Sequence, residues 1–94
     1  MAMKVIIPIT GHKESRGTIG MWFKRKGDPV QKGEPLCTVE TEKASIEIES
    51  PGDGVLRCIL SPRDTEVSAG DCVGIIAAKD EDITPLLNEV RPTQ

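Results

Sequence analysis

Apolar and polar residues alternate along this chain in short runs, broken every eight to twelve residues by glycine, proline or charge. Period-two alternation in runs this short marks β-strands with one face buried. Strands are predicted over Met3–Ile9 (ending at Pro8), Gly17–Lys24, Pro35–Glu40, Ser45–Ser50, Val55–Leu60 and Cys72–Ala78, with brief extended pieces at Val30 and Val67. In the second of these, Ile19, Met21 and Phe23 are expected on one face and Trp22 on the other. Turns are predicted at Lys26-Gly27-Asp28-Pro29, Lys32-Gly33-Glu34, Pro51-Gly52-Asp53-Gly54, Ser61–Thr65 and Ala69-Gly70-Asp71. Thr10–Arg16 reads as a polar loop. Ile83–Val90 reads as one or two helical turns capped by Asp82. The pattern predicts an all-β sandwich or barrel.

The stretch Val39–Ile48 carries the most information. A turn at Thr41-Glu42-Lys43-Ala44 sets Val39 opposite Ile46 and Cys37 opposite Ile48 on one face. Thr38 then faces Glu47, and Glu40 faces Ser45, on the other. Aliphatic pairs on one side and polar pairs on the other fix the register, because a one-residue slip would expose the whole apolar set. Lys43 is thereby placed at the exposed tip of a rigid hairpin. The turn contains no Gly, Asn or Pro, so it must be one that needs no positive φ, such as type I.

The chain also repeats itself. Shifted by one repeat, Gly17–Val39 lies over Gly54–Ile76 without a gap. Gly17 meets Gly54, Ile19 meets Leu56, Val30 meets Val67, Gly33 meets Gly70, Glu34 meets Asp71, Leu36 meets Val73 and Val39 meets Ile76. Pro8 matches Pro51 only if the first loop is six residues longer than its counterpart. Neither half has enough strands to bury a face alone. Two halves related by a pseudo-two-fold close two sheets on one core. Lys43 corresponds to Asp80, where the chain does not turn back into another strand, so the lysine tip is expected opposite the termini.

Composition narrows the chemistry. Ninety-four residues make one domain, with 37% hydrophobic, 29% charged and 2% aromatic content. The core must therefore be Val, Ile and Leu, which favour strands. A net charge of −3 gives no footprint for nucleic acid or an acidic membrane, and no apolar run is long enough to span one. Cys37, Cys58 and Cys72 have no metal-ligand spacing and read as small hydrophobes in strands. An odd cysteine count with no secretion signal points to a reducing compartment. Met1-Ala2-Met3 reads as a translation start or as an artificially added end. No Ser/His/Asp or Cys/His set, phosphate loop or metal cluster supports an enzyme reading.

Gly17-Thr18-Ile19, Trp22, Gly27-Asp28-Pro29-Val30, Gly33-Glu34-Pro35-Leu36, Glu40-Thr41-Glu42-Lys43-Ala44, Glu47-Ile48 and Ser50–Val55 together resemble a lipoyl domain, the swinging-arm carrier of 2-oxo acid dehydrogenase complexes. The resemblance runs from about Met3 to Ala78 and is most specific at Glu40–Ala44. It implies a flattened barrel or sandwich of two four-stranded sheets with the same quasi-two-fold. It implies a carrier domain over residues 1–79 and a tail, the possible start of a linker, over 80–94. Lys43 would carry lipoate in amide linkage, and Glu40, Thr41, Glu42 and Ala44 would be the turn that modifying and partner enzymes read. The loop Thr10–Arg16, with His12, would lie near the tip. The implied partners are a lipoate ligase or lipoyl transferase, a thiamine-dependent decarboxylase, an acyltransferase core and a flavin-containing dihydrolipoamide dehydrogenase. The domain itself would be monomeric and non-catalytic, and would work in the bacterial cytoplasm or, second to that, the mitochondrial matrix.

Two other readings make different demands. A biotin carrier shares the fold and also modifies a hairpin lysine, but that family typically flanks it with methionines, where this chain has Glu42 and Ala44. An unmodified β-sandwich interaction module keeps the repeat and gives Lys43 no role. The chain departs from the lipoyl pattern at Asp64-Thr65, where the family usually has Gly-Asp. Asp tolerates left-handed geometry, so the turn is expected to survive.

Overall fold

The computed structural model describes residues 2–8 and 16–90. Among the described residues eight strands form: β1 (Met3–Ile6), β2 (Arg16–Trp22), β3 (Pro29–Val30), β4 (Pro35–Glu40), β5 (Ser45–Glu49), β6 (Gly54–Ile59), β7 (Glu66–Ser68) and β8 (Cys72–Ala77), followed by helix α1 (Thr84–Val90). One sheet has the order β1-β8-β6-β3 and the other β5-β4-β2-β7. All described pairs are antiparallel. No strand pair joins the two sheets among the described residues, so the body is a sandwich rather than a closed barrel. Of the loop Thr10–Arg16 only Arg16 is described, and His12 lies outside the described residues.

The repeat becomes symmetry. Replacing β5, β4, β2 and β7 by β1, β8, β6 and β3 turns one sheet order into the other. The turn bonds recur as well. The Gln31 N–H donates to Glu34 Oε1 at 3.0 Å, and in the second half the Ser68 N–H donates to Asp71 Oδ2 at 2.8 Å. The Gly27 N–H reaches the Leu56 carbonyl at 2.7 Å, while the Asp64 N–H reaches that of Ile19 at 2.8 Å. The Gly33 N–H bonds the Ser50 carbonyl as the Gly70 N–H bonds that of Ile7, both at 2.9 Å. Ile7 matches Ser50 only with the six-residue difference expected for the first loop.

Asp64 takes the place of Gly27 and adopts φ of 72°, against 97° for the glycine. The turn survives with a side chain in left-handed geometry, where glycine meets no steric cost. Asp64→Gly is expected to stabilise the domain by about 0.5 kcal/mol, and Asp64→Ala to destabilise it by about 1 kcal/mol. Urea unfolding checks both signs.

The core lies between the sheets. Ile19, Leu36, Cys37, Leu56 and Val73 are fully buried there, with Val5, Val30, Val39, Ile48 and Val67 around them. The expected face assignment in β2 is overturned. Trp22 packs against the core, and its indole N–H donates to the Ser61 carbonyl at 2.9 Å; Met21 and Phe23 are exposed. The cause is a bulge. Ile19 pairs with Val39 but Trp22 pairs with Cys37, so three steps on β2 match two on β4. The extra residue inverts the alternation. The Met21 N–H, displaced from the ladder, donates to Thr38 Oγ1 at 3.0 Å.

Strand register fixes the two ends of the body. β3 leads into the turn at 31–34, from which β4 runs out to the lysine hairpin. Val30 pairs with Gly54, and the adjacent Val55 pairs with Ala77. The last residue of β8 therefore lies at the 31–34 end, and the hairpin is at the other. After β8, Arg57 Nη1 donates to the carbonyls of Ala78 and Glu81, both at 2.7 Å, and Lys4 pairs with Glu89 of α1. The Asp82 side chain caps the helix as expected, accepting from the Thr84 N–H at 2.9 Å.

Candidate modification site at the lysine hairpin

β4 and β5 pair in the predicted register: Cys37 with Ile48, Thr38 with Glu47, Val39 with Ile46 and Glu40 with Ser45. Cys37, Val39 and Ile48 are buried beneath the hairpin, Ile46 is half-buried, and Glu40 and Glu47 are exposed. Packing of one face on the core holds the strands, so the tip is carried on a fixed base.

At the tip, Glu42, Lys43 and Ala44 are exposed and Thr41 is half-buried. The Thr41 N–H donates to the Ala44 carbonyl at 2.8 Å, which closes the ladder. The Thr41 hydroxyl donates to the same carbonyl at 3.0 Å and accepts from the N–H groups of Ala44 at 3.0 Å and Lys43 at 3.3 Å. Below it, the Ser45 hydroxyl donates to Glu40 Oε2 at 3.1 Å, bracing the last pair of the ladder. Glu42 and Lys43 both keep negative φ, as a turn without Gly or Asn requires. The Lys43 amine has no hydrogen-bond or ion-pair partner among the described residues.

All five residues expected at the site, Glu40, Thr41, Glu42, Lys43 and Ala44, are therefore gathered on one protruding turn. Glu40, Glu42 and Glu47 form no ion pair among the described residues, so their negative charge is not neutralised locally. Two supporting features went unread in the sequence. A Cβ built on Gly17 would stand 2.6 Å from Val39 Cγ1 and 2.9 Å from the Glu40 carbonyl oxygen; one on Gly20 would stand 2.5 Å from Thr38 Oγ1 and 2.8 Å from Glu40 Oε2. Two glycines inside a strand pattern are the signal that a neighbouring chain comes close.

Two of the thiols are held back from this chemistry by burial. Cys37 is fully buried, which pushes its pKa up to about 11. Burial also raises that of half-buried Cys72. Only a thiolate attacks a disulfide, and these groups stay protonated near neutral pH.

The family model Biotin_lipoyl, described as "Biotin-requiring enzyme", matches residues 2–76. The chain belongs to this biotin/lipoyl family. Among curated members it is 37% identical over 76 residues to a dihydrolipoyllysine-residue succinyltransferase component of the 2-oxoglutarate dehydrogenase complex from Rickettsia felis, covering 81% of this chain and 19% of that protein. It is 36% identical over 83 residues to a dihydrolipoyllysine-residue acetyltransferase component of the acetoin cleaving system from Bacillus subtilis, covering 88% and 21%. The chain thus spans about a fifth of the length of these relatives. Among solved structures of the biotin/lipoyl fold, the lipoyl domain of the Azotobacter vinelandii 2-oxoglutarate dehydrogenase complex aligns with a TM-score of 0.62 at 27% identity, over 78% of this chain and 95% of that one. The Kluyveromyces lactis urea carboxylase aligns with a TM-score of 0.69 at 23% identity, over 82% and 6%, which shows the shared fold.

Proposed function

We propose that this domain is a lipoyl carrier of a 2-oxo acid dehydrogenase complex, with lipoate in amide linkage to Lys43. The observation that carries the reading is the place of Lys43: at the apex of a closed hairpin, exposed, its amine free of any partner among the described residues. The site fits the group. Acylation removes the lysine's charge, and here it breaks no ion pair that the fold relies on. Similarity to lipoyl-bearing acyltransferase components, and Glu42 and Ala44 in place of methionines, support lipoate over biotin.

Lipoate, once attached, supplies a dithiolane that takes up an acyl group with its electrons and gives both up again. The domain's own residues carry and present it. The β4–β5 base holds Lys43 outward, so that a lipoate ligase or lipoyl transferase selects one of seven lysines by shape. Glu40, Glu42 and Glu47 steer the tip toward basic entrances on the thiamine-dependent decarboxylase, the acyltransferase core and the dihydrolipoamide dehydrogenase. The Cys37 thiol beneath the hairpin, buried and held protonated, does not exchange with the arm's disulfide. We assign residues 1–79 to the carrier domain and 80–94 to its tail.

Parallel incubations test the reading: one with lipoate ligase, lipoate and ATP, the other with biotin ligase and biotin, each read by intact mass. A gain of one lipoyl group and no biotinyl group is expected. A gain of biotin alone moves the domain to the biotin carriers, and no gain in either arm leaves Lys43 an ordinary turn residue.

A further inference from the structure

We infer that Thr41 is the positioning residue for modification of Lys43: its hydroxyl holds the backbone of the tip, and its methyl, resting over Gly17, holds the hydroxyl in place. The inference rests on Lys43 being the attachment site.

A two-residue hairpin loop is ordinarily closed by a main-chain carbonyl that accepts from the N–H three residues on. Here that N–H, on Ala44, is taken by Thr41 Oγ1 at 3.0 Å, and the same oxygen also accepts from the Lys43 N–H at 3.3 Å. The hydroxyl proton goes to the Ala44 carbonyl at 3.0 Å. A hydroxyl has one proton and two lone pairs, and all three are used within the turn. The main-chain bond from the Thr41 N–H to the Ala44 carbonyl is kept at 2.8 Å, and the side chain takes over the other half of the closure, which lets Glu42-Lys43 turn without the left-handed residues that tight hairpins favour.

The second branch of Thr41 explains why the oxygen stays there. A Cβ built on Gly17 of β2 would lie 3.3 Å from Thr41 Cγ2. The methyl therefore covers the bare backbone of Gly17, and Thr41 is half-buried although its neighbours on the tip are exposed. A β-branched residue has few χ1 states. With the methyl seated on Gly17, the oxygen is aimed at the tip amides. Serine supplies the oxygen without the seat; valine supplies the seat without the oxygen.

The consequence for modification is a matter of populations. A ligase that accepts the ordered tip sees an affinity reduced by the fraction of molecules in that state. Loosening the tip should therefore raise KM for the domain and leave kcat unchanged, because the bound tip is ordered in either case.

The experiment compares wild type, Thr41→Val and Thr41→Ser in lipoate-ligase kinetics, with NMR solvent exchange of the Lys43 and Ala44 amides in the absence of enzyme. Thr41→Val is expected to raise KM about tenfold at constant kcat, as for the loss of one or two main-chain hydrogen bonds, and to speed exchange at both amides by a similar factor. Thr41→Ser should fall between valine and wild type in both readouts. Exchange elsewhere in β4 and β5 should not change. Unchanged exchange at Lys43 and Ala44 in Thr41→Val overturns the inference, and a slowed ligase beside it would mean that the enzyme touches Thr41 directly. A general loss of protection across the sheet also overturns it, by making Thr41 a plain stability residue. If wild type accepts no lipoyl group, the carrier reading fails, and the exchange arm still decides whether Thr41 orders Lys43.

Discussion

Lys43→Arg is expected to take up no lipoyl group, while its unfolding midpoint matches that of the parent. The ligase acylates an amine in its neutral form, and an arginine guanidinium stays protonated at any working pH. The fold should not notice the change, because Lys43 makes no side-chain bond among the described residues and substitutions at such positions shift stability by no more than about 0.5 kcal/mol. No other described lysine is offered in the same way. Lys4 is paired with Glu89 and Lys24 with Glu34, while Lys26, Lys32 and Lys79 lie outside the β4–β5 hairpin. Intact mass with peptide mapping reads the first half of the prediction, and thermal melting the second. A lipoyl group found on the variant would show that the ligase reads something other than the hairpin apex.

The second large effect lies in the core. Ile19 and Leu56 are related by the pseudo-two-fold, and each is 0% exposed. Truncation of either to alanine is expected to cost about 3 kcal/mol, which lowers the midpoint of a domain this small by roughly 12–24 °C. Equal losses would report the symmetry as energy. The two variants should differ at the tip. Ile19 pairs with Val39, one residue before Glu40 and two before Thr41, whereas Leu56 pairs with Ile76 in the other sheet. Below its melting temperature, Ile19→Ala should accept lipoate more slowly than Leu56→Ala. Equal modification rates would mean that the core beneath β4 does not hold the tip.

The hairpin was legible in the sequence because its two faces differ in polarity residue by residue, so only one register turns Cys37, Val39, Ile46 and Ile48 together toward the core. The repeat was legible because turn glycines and apolar positions fall in step, and the turn at Asp64 was expected to survive because Asp tolerates the left-handed geometry of the glycine that the lipoyl pattern usually has there. Strand β2 was misread for a local reason. Alternation carries no mark of an inserted residue, and the bulge after Ile19 turned Trp22 inward and left Met21 and Phe23 outside. The Trp22 bond to Ser61 joins residues far apart in sequence, so no local pattern announces it. The part played by the Thr41 hydroxyl was hidden differently. Thr-Glu-Lys-Ala contains poor turn formers, and only the three-dimensional path of the chain shows a side chain doing the work of a main-chain carbonyl.

The strand registers also show where the chain was left open. Met3 pairs with Ile76 as Ile46 pairs with Val39, so β1 and β8 stand to each other as β5 stands to β4. Join Ala77 to Met3 by a short loop and a second hairpin appears, equivalent to the one that bears Lys43. With that link the eight described strands would form a ring, and the link falls where a second tip would be. A circular permutant opened at the lysine turn and sealed between β8 and β1 would keep every strand pair and lose its point of attachment. On the proposed reading, only one of the two symmetry-equivalent strand pairs is joined through a lysine-bearing turn, which gives one arm per domain.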